Sequence, residues 1–134
     1  MIKSLIITHG NLGHELIQVA EKILEQKLDI KAIAFDWQGD GSDMIAQLEK
    51  FIAGNKEHKI IIFTDMFGGS PSNIATRFIN KNVEVLSGIN LPGLLKFFCY
   101  EEKSKNFMKT IKIVEQGAIE GINIISEYLG EKND

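Results

Sequence analysis

The chain predicts an α/β fold: an open, doubly wound and mainly parallel sheet with helices on both faces. Three observations carry that prediction. Short apolar runs rich in isoleucine and valine alternate with stretches whose apolar residues recur every three or four positions. The strongest run, KIIIFTD at 59–65, is continuous rather than alternating, as a strand covered on both faces should be. With 134 residues, the chain suits one domain, 1–134, with a real core.

Each element follows from its residues. IKSLIIT (2–8) reads as a short buried strand. Apolar residues then fall at Leu12, Leu16, Val19, Ala20, Ile23 and Leu24, a helical period lasting to about Gln26. IKAIAFDW (30–37) has strand character, and QGDGSD (38–43) is a loop in which Ser42 is expected to cap the next helix. Met44, Ile45, Leu48, Phe51 and Ile52 line one face of that helix, which Gly54 and Asn55 end. After the third strand, Ser70 is expected to cap a helix with Pro71 at its first position and Ile74, Ala75, Phe78 and Ile79 inward. VEVLSGI (83–89) is the fourth strand, LPGLLKFFCY (91–100) a short helix, and 106–120 a longer one. EEKSK (101–105) between them is a solvated loop. INIISEYL, after Gly117 and Gly121, either extends the last helix or forms a further edge strand, and its isoleucines tilt it to the strand.

Composition excludes several classes. Hydrophobic residues at 44% and charged ones at 25% describe a globular chain. A net charge of −3 provides no basic field for nucleic acid. The single cysteine, Cys99, permits neither an internal disulfide nor a multi-thiolate metal site, and in LLKFFCY it reads as a small buried hydrophobe. The apolar start is too short for a signal peptide or membrane span, so a cytoplasmic location is the default.

Chemistry concentrates at two places. In an open parallel sheet, ligands bind beyond the carboxyl ends of the strands where the order reverses. With the order 2-1-3-4, that point lies between strands 1 and 3. His9 follows the first and Asp65 to Ser70 follow the other, so the two loops open onto one crevice. A carboxylate that accepts the N–H of one imidazole nitrogen fixes the tautomer and leaves the other lone pair available; Asp65 is placed for this. Gly68 and Gly69 let the chain turn tightly and let an anion approach, and Ser70 adds a hydroxyl at a helix start. Taken singly, GGSP is a good turn, Asp65 a loop cap and His9 a satisfied polar residue; their convergence on one crevice favours a nucleophilic histidine facing an anion cradle.

Rival chemistries fit less well. Ser70, His9 and Asp65 could form a hydrolase triad, but GGSPS is not G-x-S-x-G, and Pro71 removes an N–H from any oxyanion hole. His9 and His14 are five apart and share no helix face; His14 points out, and His58 precedes strand 3 at the opposite end. No G-x-x-x-x-G-K-[ST] loop and no G-x-G-x-x-G is present. Neither a metal nor a cofactor is expected. Trp37 is either a docking residue at the rim or a partly packed core residue.

Three segments, IITHGNLGHELIQVAEKIL, IIIFTDMFGGSPSNIATRFI and VLSGINLPGLL, resemble the enzyme IIA component of the mannose family of the bacterial phosphotransferase system, in the same order and over essentially the whole chain. The resemblance implies a phosphocarrier. His9 would take a phosphoryl group from phospho-HPr and pass it to a IIB component, Asp65 would hold the imidazole, and Gly68, Gly69 and Ser70 would bind the phosphate. Thr8, Gly10, Phe67 and Asn90 would wall the pocket; some members carry Trp where this chain has Phe67. It further implies a homodimer in which 122–128 form a C-terminal strand pairing antiparallel in the partner, and peripheral association with membrane permease components. The related phosphocarrier subunit of dihydroxyacetone kinase carries D-M-G-S in place of DMFGGSP, which argues against that branch. A regulatory role, in which phosphorylation state biases a partner without a dedicated permease, is the alternative, and the sugar is not readable from the chain.

Overall fold

A computed structural model describes residues 1–103 and 105–130 of the chain. Four strands form one sheet: β1 (Ile2–His9), β2 (Ile30–Phe35), β3 (Lys59–Thr64) and β4 (Val83–Ser87). Their order is β2-β1-β3-β4, with all three pairings parallel. The helices are α1 (Leu12–Leu24), α2 (Ser42–Ala53), α3 (Ser70–Thr76), α4 (Leu91–Cys99), α5 (Phe107–Glu120) and α6 (Ile125–Tyr128). The α/β class, the strand order and the covering of both faces are as expected from the sequence.

The sheet divides the interior into two cores because side chains alternate along each strand. On one face Ile2, Ile6, Ile61 and Phe63 pack against Ala20 of α1, Leu94 and Phe97 of α4, and Ile111 and Val114 of α5. On the other, Leu5, Ile7, Ile60 and Ile62 meet Met44 and Leu48 of α2 and Ile74 and Ala75 of α3. The unbroken apolar run in β3 is thus two interleaved half-sets, each serving a different core. Burying one such side chain contributes about 1.5–3 kcal/mol. Gly93 lets α4 approach α5, since a Cβ there would lie 2.8 Å from the Ala118 Cβ.

Several expectations are corrected. Cys99 is exposed rather than buried. It sits five positions after Leu94 and two after Phe97, which turns it away from their stripe. On α1, Leu12, Val19 and Ile23 remain largely exposed, whereas Ile17 packs inward beside Leu16 and Leu24. The apolar arc of this helix is wider than the strip the sheet can cover. Ile79 lies beyond the end of α3 and is exposed. Neither Ser42 nor Ser70 caps its helix: each is the first helical residue, preceded by Gly41 and Gly69, and neither makes a capping bond. At Gly41 the backbone takes φ 85°, a conformation that favours glycine, and the Asp40 carboxylate accepts the Ser42 N–H at 2.9 Å.

The C-terminal segment also departs from expectation. Residues 122–128 form no strand; an irregular stretch after Gly121 leads into the single turn of α6. A strand needs a ladder partner for its N–H and C=O groups, and in one chain this segment has none. Of the solvated loop 101–105, Ser104 lies outside the described residues. No helix among the described residues is long and apolar enough to cross a membrane.

The turn from β1 into α1 is tied from below by Thr8. Its fully buried hydroxyl accepts the Gly13 N–H at 2.8 Å and donates to the Gly10 carbonyl at 3.3 Å. Thr8→Val keeps the shape and leaves a buried N–H unpaired, so thermal or urea unfolding should show a loss of about 1–3 kcal/mol.

Candidate functional site

Register builds the site. In the β1–β3 pairing Ile7 lies opposite Thr64, so His9 and Asp65 emerge together at the carboxyl edge. The two residues are 56 apart in sequence, yet Asp65 Oδ2 lies 2.7 Å from His9 Nδ1 and accepts the His9 backbone N–H at 2.9 Å. Its other oxygen, Oδ1, accepts the Met66 N–H at 3.0 Å. Burial raises the Asp65 carboxyl, but the His9 backbone N–H, the ring hydrogen bond and attraction to the ring outweigh it and leave it below 3.8. The carboxylate is therefore ionised at neutral pH and can only accept, so Nδ1 carries the proton. In the neutral imidazole this leaves the lone pair on Nε2, which has no hydrogen-bond partner among the described residues.

The glycine loop packs directly on that ring. A Cβ added at Gly69 would stand 2.7 Å from His9 Cε1 and 3.4 Å from Nε2. Only a glycine lets the loop approach so closely. Gly68 takes φ 90° and has open space where a Cβ would point. Phe67 projects into solvent, 82% exposed. Ser70 is exposed at the first position of α3, and its hydroxyl has no partner among the described residues.

Two of the residues expected to wall the pocket have structural bonds of their own. Thr8 is fully buried beneath the loop rather than lining a cavity. Asn90 caps α4 by accepting the Gly93 N–H at 2.8 Å, and its NH₂ donates to the Ala118 carbonyl at 2.9 Å. Its amide joins α4 to α5. Gly10, next to His9, turns with φ 54° and donates to the Phe35 carbonyl at 3.3 Å.

Of the other neighbours of the site, Phe35 was not read from the sequence and Trp37 only as one of two alternatives. Phe35, the register partner of His9 on β2, meets the imidazole edge-on with ring centroids 5.8 Å apart. Trp37 stacks on the imidazole, which settles its two sequence readings in favour of the rim. Under the glycine loop, a hydroxyl chain runs from Thr64 through Ser87 to Ser72, the last contact being 3.1 Å. It binds the ends of β3 and β4 to α3. Its only trace in the sequence is a hydroxyl residue at the end of each apolar strand, Thr64 and Ser87, which the register makes partners. Among the described residues no three His, Cys, Asp or Glu side chains are grouped to hold a metal ion.

The imidazole is thus held through Nδ1 with its ring against a glycine turn, and comparison with known proteins places the chain in a class. A family profile described as PTS system fructose IIA component (EIIA-man) matches residues 3–115. The chain is 28% identical over 137 residues to the PTS system fructose-specific EIIA component of Bacillus subtilis (strain 168), covering 96% of this chain and 90% of that one. It is 24% identical over 98 residues to the sorbose-specific EIIA component of Klebsiella pneumoniae, covering 72% of each. The crystal structure of the phosphotransferase system component EIIA from Streptococcus agalactiae superposes with a TM-score of 0.84 at 26% identity, covering 95% of this chain and 99% of that one. The chain belongs to the EIIA-man family of phosphotransferase-system IIA components, whose role is sugar phosphotransfer.

Proposed function

We propose that the chain, as one IIA domain over 1–134, accepts a phosphoryl group from phospho-HPr on Nε2 of His9 and delivers it to a IIB component during sugar uptake. The observation that carries this reading is the 2.7 Å contact between Asp65 Oδ2 and His9 Nδ1, which leaves Nε2 as the nucleophile beside the glycine turn. Gly68, Gly69 and Ser70 hold the transferred group: the turn has no side chain in the way, and the Ser70 hydroxyl is exposed and unengaged among the described residues. Transfer is in line, with charge on the equatorial oxygens met by this cradle. A serine hydrolase is disfavoured because Ser70 makes no hydrogen bond to His9, while the imidazole is already committed to Asp65. The relatives are named for different sugars, fructose and sorbose, and neither name carries over to this chain.

The chain works as a homodimer in the same reading. Ile122, Ile124, Ile125, Tyr128 and Leu129 are all exposed, an apolar surface that a second copy would cover. Mixing the protein with phospho-HPr, followed by mass spectrometry under conditions that preserve phosphohistidine, is expected to find one phosphoryl group on His9. Label that persists in His9→Ala would sink the assignment.

A further inference from the structure

Trp37 is the only tryptophan in the chain, and it is 70% exposed. An exposed tryptophan has no core role to explain it. Its indole instead lies over the His9 imidazole, with ring centroids 4.9 Å apart and planes 25° from parallel. Phe35 meets both rings edge-on, at 5.8 Å from His9 and 6.1 Å from Trp37. The turn that carries the indole is itself fixed: Asp36 accepts the Gln38 N–H on its carboxylate at 3.0 Å and the Gly39 N–H on its carbonyl at 3.1 Å. Gly10 turns beside the indole with φ 54°, and a Cβ there would stand in ordinary contact distance of its Nε1.

We infer that Trp37 is a positioning residue for His9 whose π-face stabilises the positive charge the imidazole acquires on phosphorylation. The inference rests on the reading of His9 as phosphoryl acceptor. In that step the Nε2 lone pair forms an N–P bond as the donor's bond to phosphorus breaks, and the proton on Nδ1 stays, held by Asp65 Oδ2 at 2.7 Å. The ring, neutral before the step, then carries a formal positive charge. Asp65 meets that charge in the plane of the ring, and the indole meets it from one face. A tryptophan face is the best of the aromatic partners for a cation. The stack also limits the imidazole's rotation about its side-chain bonds and keeps Nε2 turned to the glycine loop.

The test is the equilibrium of phosphoryl exchange with HPr, measured for wild type, Trp37→Phe, Trp37→Leu and Trp37→Ala. Trp37→Leu keeps apolar cover and removes the π-face, so it separates charge stabilisation from mere shielding. Trp37→Phe should stay within about twofold of wild type, whereas Trp37→Leu and Trp37→Ala should shift the equilibrium about 3- to 10-fold toward phospho-HPr. A Trp37→Leu protein indistinguishable from wild type would overturn the inference. Proton NMR provides a readout that needs no donor. The stack should shift the His9 ring C–H resonances upfield of those of His14 and His58, and Trp37→Leu should abolish that shift. A wild type that shows the shift but takes no phosphoryl group refutes the acceptor reading. A wild type that is labelled, with no shift and no difference among the variants, refutes the role of Trp37 alone.

Discussion

Asp65→Asn should slow phosphoryl acceptance from phospho-HPr by about 100-fold or more while leaving the fold intact. Three N–H donors converge on this carboxylate: the backbone N–H and Nδ1 of His9 on one oxygen, and the Met66 N–H on the other. An amide has a single oxygen, so its NH₂ must face at least one of these donors. If the NH₂ faces His9, Nδ1 is asked to accept, the proton moves to Nε2 and the nucleophilic lone pair is lost. If it faces Met66, the tautomer survives but the negative charge that balances the phosphorylated ring does not. Quench-flow labelling measures the rate, and a rate within threefold of wild type would remove Asp65 from the mechanism. The same pair makes a pH prediction. The folded Asp65 carboxyl lies below its ordinary 3.8, so its stabilisation is present above that value and is lost as pH falls through the lower folded one. In acid unfolding followed by circular dichroism, the advantage of wild type over Asp65→Asn should be constant above pH 3.8 and shrink below it.

Gly69→Ala should be nearly as damaging, for a steric reason alone. The backbone at Gly69 has φ −81° and ψ 167°, a conformation any residue adopts, so alanine strains nothing locally. The new methyl would nevertheless lie 2.7 Å from His9 Cε1, well inside van der Waals contact. The imidazole is held by Asp65 and covered by Trp37, so it can yield only by giving up one of them. Displacing a reacting atom by about an ångström can cost on the order of 100-fold in rate. Gly68→Ala is the control. Its φ of 90° makes alanine strained by about 1–2 kcal/mol, but the methyl would meet open space. The two variants therefore differ in cause: in thermal unfolding Gly68→Ala should lose stability through its own backbone, and in labelling Gly69→Ala should lose transfer rate through the displaced imidazole. A Gly69→Ala rate equal to that of wild type would show that the loop moves freely away from the ring.

How far each feature could be read from the chain depends on the range of the interaction behind it. The unbroken run of β-branched residues in β3 already reads as a strand buried on both faces, because such a strand hides every second residue and those between. The pairing of His9 with Asp65 was legible less directly, through the rule that neighbouring strands in this order share a crevice. Trp37 illustrates the limit: its sequence neighbourhood fits a core residue as well as a rim one, and only the His9–Phe35 register on β2 puts it over the imidazole. Asn90, a pocket wall only by the family resemblance, gives its amide hydrogen to α5, a contact no local pattern announces.

The sequence by itself determined the α/β class and the family, since periodicity, turn residues and the His9 and Asp65 motifs act over short stretches of chain, whereas the order 2-1-3-4 was the one such sheets usually take. Tertiary structure decided the rest: that Gly69 touches the imidazole, that Thr8 is a buried tie, that Cys99 faces out, and that 122–128 form no strand within one chain. These depend on which surfaces meet across the sheet and on the hydrogen-bond partner a segment finds. A linear pattern specifies what a residue can do, and only packing specifies what it is beside.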